Sequence, residues 1–224
     1  MKRSIAVVMD PIERINTAKD TSFALMLEAQ RRGYGLFYVE PGSLSVQHAL
    51  AHGRLATLKI KDVKNQYFEL GEWQNTALSS VDAVLMRKDP PVDDQFIHDT
   101  QILSLAESQG VLVVNRAQGL RDMNEKLTTL LFPQCCPETL VSRSMTDLKE
   151  FIRRHGDTVV KPLNGMGGKS IFRIRHGDGN ANVILETLTD SGSLTMAQKF
   201  IPEIAQGDKR ILLVDGEPVP YVLA

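Results

Sequence analysis

The residues best placed to do chemistry lie in one stretch, "VVKPLNGMGGKSIFRI", residues 159–174. Lys161 leads into a cluster of Gly165, Gly167 and Gly168 with Met166 among them, and Lys169 leads out. Glycine weakens an element interior, so such a cluster implies a tight turn or the close approach of another group. Successive backbone N–H groups unblocked by side chains, beside a fixed ammonium, suit an anion such as phosphate. Two familiar phosphate loops can be tested against this spacing. A Walker A loop ending on Gly168-Lys169-Ser170 would place its opening glycine on Leu163. A dinucleotide fingerprint starting at Gly165 and Gly167 meets Ser170 instead of its third glycine. Both also need a helix directly after the loop. Ile171-Phe172-Arg173-Ile174-Arg175 is β-branched and aromatic without helical period, so a strand is predicted there. The stretch therefore reads as strand, flexible glycine loop, strand. A surface hairpin with solvated lysines is the plainer alternative, and the rest of the chain must decide between them.

Other reactive side chains give weaker signals. Lys126 falls on a predicted helix and Arg210 on a predicted strand; each alone is ordinarily a solvated charge. The two cysteines, Cys135 and Cys136, are adjacent and staple nothing across a fold, which suits a reducing compartment. No histidine motif accompanies them. Among the five histidines only His48 and His52 are close in sequence, and their i, i+4 spacing reads as a solvated helix face. A net charge of −1 gives no electrostatic reason to expect nucleic acid or an anionic membrane, so any anion site must be local. The 224 residues, 42% hydrophobic and 24% charged, suit one large globular domain or two modest ones. The apolar run Ile5–Met9 is too short for a signal peptide, and no segment approaches the roughly 20 apolar residues of a membrane span.

The elements that must position these residues follow two rhythms. The first half alternates: a buried strand at 4–9, a helix at 20–33 capped by Asp20, Thr21 or Ser22, a strand at 36–40, a strand at 81–87, a helix at 93–110 and a strand at 111–115. Two short strands are expected within 41–80, beside the main sheet. This order predicts a parallel sheet with right-handed crossovers, and ligands collect at the carboxyl ends of such strands, where Asp10, Arg87, Asp89 and Asn115 fall. The second half reads as α+β. It opens with a helix over 120–132, followed by a strand at 137–142, a helix at 146–156, the glycine hairpin, a helix at 182–192, the segment 194–202 and a final hairpin turning on Asp215-Gly216. The fold class expected is α/β, with domains at 1–120 and 121–224.

Several of these stretches together resemble the bacterial-type glutathione synthetases: "MDPI" (9–12), "KDTSFALMLEAQRRGY" (19–34), "LMRKDPP" (85–91), "LRDMNEKL" (120–127), "KPLNGMGGKSIFRI" (161–174), "MAQKFIP" (196–202) and "GDKRILLVDGEPVPY" (207–221). The resemblance implies a Rossmann-like pre-ATP-grasp domain followed by an ATP-grasp domain. It also implies ATP-dependent joining of γ-L-glutamyl-L-cysteine to glycine through an acyl phosphate, giving glutathione, ADP and phosphate. ATP and Mg²⁺ (or Mn²⁺) are the cofactors it implies, and a cytoplasmic homotetramer the setting. On this resemblance Lys126 and Lys161 hold nucleotide phosphates, and Gly165, Met166, Gly167 and Gly168 form the loop that closes over them. Gln198, Lys199, Phe200 and Ile201 lie in the hinge that meets adenine, Asp208 lies near the ribose, and Arg210, with Lys161, takes a catalytic part. Arg87 and Asp89 are the candidates for holding the dipeptide, with an internal ion pair as their other reading.

The departure from the family pattern is at the C-terminus. Family members continue past the equivalent of "PYVLA" with a second glycine-rich loop and the Asp, Glu and Asn that hold magnesium. Asp208, Asp215 and Glu217 do not make a convincing set, so no metal ligand is assigned within this chain. The ATP-grasp domain is accordingly expected to be incomplete, and the chain part of a longer enzyme, inactive alone. Two rival readings stand beside this one: another ATP-grasp carboxylate–amine ligase of the D-alanine–D-alanine type, and a nucleotide-binding module without turnover.

Overall fold

A computed structural model describes residues 3–63, 65–214 and 216–223. The chain forms two compact units, Met1–Asn124 and Glu125–Ala224. In the first, β1 (Ser4–Val8) is the continuous apolar run of the N-terminus, and α1 (Thr21–Arg31) follows it. The Asp20 carboxylate caps α1 by accepting the Phe23 N–H at 2.7 Å. Next come β2 (Gly35–Val39), β3 (Ser45–Gln47), β4 (Leu50–Ile60), β5 (Phe68–Ala77), β6 (Ala83–Met86), α2 (Asp94–Ser108), β7 (Leu112–Val114) and α3 (Ala117–Asp122). Strands β2, β1, β6 and β7 lie side by side and parallel.

Alternation along β1 explains why both faces need cover. Ala6 and Val8 belong to a core with Phe96, Leu103 and Ala106 of α2. Val7 belongs to a second core with Phe23 and Met26 of α1. Successive side chains point to opposite faces of a strand, so each helix covers one face of the same sheet.

Residues 41–80 differ from the short flanking strands expected. Strands β4 and β5 are 11 and 10 residues long and antiparallel, and they extend the main sheet beyond β2. On one edge β4 pairs with β2 and β3; on the other it pairs with β5. Their alternation is hidden in the sequence by glycines that serve close approach. A Cβ on Gly71 would lie 2.2 Å from Thr57 Oγ1, so only glycine lets the two strands meet there. His48 and His52 are not on a helix face either: His48 sits in the β3–β4 turn at φ +49° and His52 on β4.

The second unit begins with two short 3₁₀ turns, Thr128–Leu131 and Pro133–Cys135. The single helix predicted over 120–132 does not form: α3 stops at Asp122, and Lys126 lies on irregular chain between it and the first turn. Thr128 and Thr129 are weak helix formers and Pro133 restricts the residue before it, so nothing local carries a helix across. Then come β8 (Thr139–Ser142), α4 (Met145–His155), β9 (Asp157–Pro162), β10 (Phe172–Arg175), α5 (Ala181–Thr189) and β11 (Thr195–Lys199). Four strands make an antiparallel sheet in the order β10-β9-β11-β8. Leu148, Phe151 and Ile152 of α4 and Leu185 and Leu188 of α5 bury one face of it against Val160, Ile174 and Ala197. Strands β12 (Arg210–Val214) and β13 (Glu217–Leu223) pair as a separate hairpin with Ile211 to Val214 exposed. Asp215, predicted to make its turn, lies outside the described residues.

Candidate functional site

Strand parity in the second sheet decides which residues face away from its helices. Val160 is in the helix-side core, so Lys161 beside it points to the opposite face, in register with Met196 and, one strand further, Val141. The Lys161 ammonium is half-buried there, and burial, with the Lys126 ammonium adding repulsion, holds its pKa below the usual lysine value. Two partly buried lysines are chemically suited to a polyanion.

Lys126 is held more firmly. Its Nζ donates to the carbonyls of Leu163 at 3.0 Å and Gly165 at 2.9 Å, and pairs with Glu125 at 2.7 Å. Its side chain is only 13% exposed. The lysine expected to meet phosphate directly clamps the base of the glycine loop. That contact was not legible in the sequence, because it joins residues some forty positions apart.

The loop itself is open. Asn164 and residues 166–170 are exposed, and Gly165 is half-buried. Gly167 and Gly168 take φ of +67° and +76°, which favours glycine at both positions. Gly165 needs its size for another reason: a Cβ there would lie 2.9 Å from Pro162 Cγ. The Lys169 N–H closes a turn onto the Met166 carbonyl at 3.3 Å. Among the described residues the amides of Met166, Gly167 and Gly168 have no hydrogen-bond partner.

At the far end of β11 the hinge segment is largely committed. Gln198 donates to Thr139 Oγ1 at 3.0 Å, Lys199 N–H to the Glu138 carbonyl at 2.9 Å and Phe200 N–H to the Asp157 carbonyl at 3.0 Å. The Phe200 ring lies under the Arg173 guanidinium, 3.5 Å from carbon to centroid. Among the described residues Ile201 N–H has no backbone partner, which singles it out within 198–201. Asp208 and Arg210 are exposed, and neither makes a side-chain hydrogen bond or ion pair among the described residues.

In the first unit Arg87 and Asp89 are not paired with one another among the described residues. Arg87 Nε donates to Ser22 Oγ at 2.9 Å, and the Asp89 N–H donates to the Asp10 carboxylate at 2.8 Å. Lys88, unremarked in the sequence, approaches the same carboxylate at 3.6 Å. Asp10 thus gathers the strand ends that the parallel topology brings together. Among the described residues no three His, Cys, Asp or Glu side chains group as a metal site. No step is derived through a metal ion.

An antiparallel sheet covered by helices on one face, with half-buried Lys161 on the other, belongs to the ATP-grasp class. D-alanyl-alanine synthetase A from Vibrio cholerae superposes with a TM-score of 0.56 at 12% identity, over 99% of this chain and 66% of that one. The models of the prokaryotic glutathione synthetase N-terminal domain and ATP-grasp domain match residues 3–121 and 125–224. Glutathione synthetases of Xanthomonas axonopodis pv. citri and Xanthomonas campestris pv. campestris are 58% and 59% identical over the whole of this chain. The chain belongs to the prokaryotic glutathione synthetase family. It spans 71% of the length of those two relatives.

Proposed function

We propose that this chain supplies the dipeptide-side and nucleotide-binding parts of a glutathione synthetase, a C–N ligase joining γ-L-glutamyl-L-cysteine to glycine with ATP. The observation that carries the reading is a loop with unpartnered tip amides, entered from Lys161 on β9 and held at its base by Lys126 on the carbonyls of Leu163 and Gly165. A carboxylate resists attack by an amine because its charge repels electron pairs and oxide is a poor leaving group. Phosphorylation by ATP converts it to an acyl phosphate, which glycine's amine displaces, releasing phosphate. Charge resides on phosphoryl oxygens throughout, so the protein's work is positioning and cationic stabilisation.

Each residue takes a part in that work. Lys161, fixed on β9, meets the phosphates with an ammonium already short of water. Lys126 holds the carbonyls of Leu163 and Gly165 so that the amides of Gly165, Met166, Gly167 and Gly168 can fold over them, limiting hydrolysis of the intermediate. Ile201 N–H meets the adenine edge, with Gln198, Lys199 and Phe200 holding the hinge in place. Asp208 approaches the ribose, and Arg210 takes a phosphate or carboxylate with its planar fork. Arg87 and Asp89 orient the dipeptide. Magnesium or manganese accompanies the nucleotide, and a cytoplasmic homotetramer is the working form. No helix of the described residues is long and apolar enough to cross a membrane.

Titration calorimetry with a non-hydrolysable ATP analogue, run beside an assay for glutathione formation, tests the reading. Binding at micromolar analogue supports the nucleotide site, and no binding refutes it. Binding without product from this chain would mark a nucleotide-binding module. Phosphate release with D-alanine but not with γ-glutamylcysteine and glycine would favour the other ligase class, against the sequence identities above.

A further inference from the structure

Arg173 closes a circuit of three contacts around Phe200, the first residue past β11. Its guanidinium donates to both carboxylate oxygens of Asp157, from Nε at 2.8 Å and from Nη2. The Asp157 carbonyl accepts the Phe200 N–H at 3.0 Å. The Phe200 ring returns to the guanidinium, whose carbon lies 3.5 Å from the ring centroid. One aspartate thus holds the hinge through its backbone and the arginine through its side chain, and the arginine covers the hinge ring. Strand parity explains why these groups meet. Val160 and Ile174 lie in the core under α4 and α5, so Asp157, Val159 and Lys161 of β9 and Arg173 of β10 face the other way. Arg173 stands opposite Val159 and diagonal to Asp157, at the end of the sheet where Phe200 leaves β11. Arg175 is directly opposite Asp157, yet its side chain makes no hydrogen bond or ion pair among the described residues.

We propose that Arg173 is a positioning residue for the base-binding hinge: it fixes Phe200 and so aims the Ile201 N–H at the adenine edge. This deepens the nucleotide reading and rests on it. A bidentate pair with a carboxylate fixes the plane of the guanidinium, and a fixed plane can lie flat on an aromatic ring; a lysine can do neither. The other part open to an arginine on this face is to attract the triphosphate by charge. Its fork is already filled by Asp157 and one of its faces by Phe200, which leaves little of it for phosphate. Lys161 also stands four residues from Asp157 along β9, about 13 Å at the usual rise of a strand. The base and the phosphates of one nucleotide therefore fall toward opposite ends of the same strand, and Arg173 belongs to the base end.

Calorimetry with the non-hydrolysable ATP analogue and with inorganic tripolyphosphate, which has no base, separates positioning from charge. In Arg173→Ala the analogue is expected to bind about five- to tenfold more weakly, while tripolyphosphate affinity stays within about twofold. Arg173→Lys keeps the charge without the fork or the plane, and should bind the analogue as weakly as Arg173→Ala. Asp157→Asn keeps the carbonyl that Phe200 uses but not the second carboxylate oxygen. It is expected to reproduce the loss, and combining it with Arg173→Ala should cost little more. Arg175→Ala removes a cation from the same strand outside the circuit and should leave both affinities within about twofold. Unchanged analogue affinity in Arg173→Ala or Asp157→Asn, full affinity in Arg173→Lys, equal losses for analogue and tripolyphosphate, or an equal loss in Arg175→Ala overturns the inference. If tripolyphosphate does not bind the unsubstituted protein, Arg173→Lys decides between charge and positioning. If the analogue does not bind it, the nucleotide reading itself falls, and the hinge is judged by amide exchange. The Phe200 amide should then exchange several-fold faster in Arg173→Ala with α4 unaffected, and an unchanged rate refutes the positioning role.

Discussion

In the first unit the polar groups at the strand ends are tied down. Asp10 accepts from the Asp89 amide, Arg87 leans on Ser22, and Tyr67 OH donates to the Ile12 carbonyl at 2.8 Å. In the second unit the loop after β9 is held at its base, by Lys126 and by the close fit of Gly165 on Pro162, while its tip amides are unpartnered. On the proposed reading the two regions divide a task. A small substrate that must be held still suits a preorganised set of side chains. A triphosphate that must enter, react and leave suits a backbone whose donors are satisfied only by the ligand.

Substitutions can break this contrast in order of effect. Lys161→Ala removes a half-buried cation from a rigid strand, so affinity for the ATP analogue should fall about 10- to 100-fold by calorimetry. An unchanged affinity would remove Lys161 from the site. Lys126→Ala releases two loop carbonyls and is expected to cost about tenfold in affinity, together with faster amide exchange across 164–170. A loss of affinity with unchanged exchange would mean that Lys126 acts on phosphate alone and not as a clamp.

The first unit offers a test by pH. Burial pushes the Asp99 carboxyl up to about 6, with Lys88 opposing and Asp93 assisting. A carboxyl whose folded pKa lies above its unfolded value near 3.8 favours folding while protonated. Its contribution therefore declines as pH rises from about 4 to about 6, and it costs stability above that. Asp99→Asn should flatten melting temperature against pH across this window and raise it at neutral pH; an unaltered profile contradicts the assignment. The smallest effect is expected at the loop tip, where Lys169 is exposed. Lys169→Ala should change analogue affinity by no more than about twofold, in keeping with a solvated surface charge.

How far the sequence discloses this molecule depends on the range of the interactions involved. The cap at Asp20, the β-strand after the glycine cluster and the helix ending at Gly156 rest on local chemistry, and all were legible within a few residues of one another. Thr128, Thr129 and Pro133 were local signals too, yet the apolar spacing of Leu127, Leu130 and Leu131 suggested a helix that those residues interrupt. The lengths of β4 and β5 were hidden because Gly53 and Gly71 look like breaks until their partner strands are in place. Candidate site residues were nameable from the glycine hairpin and the family resemblance, whereas the clamp from Lys126 exists only once distant segments meet. Ile201 was one of four equivalent hinge residues in the sequence; the fold distinguishes it by occupying the amides of Lys199 and Phe200.

Hydrogen exchange of the loop amides at residues 165–168, with and without the non-hydrolysable ATP analogue, addresses the central claim most directly. Binding should slow exchange there by about tenfold or more as the unpartnered donors acquire phosphate oxygens, while the helix α4 is little changed. Saturating analogue that protects other amides and leaves 165–168 exchanging at their unliganded rate would contradict the account.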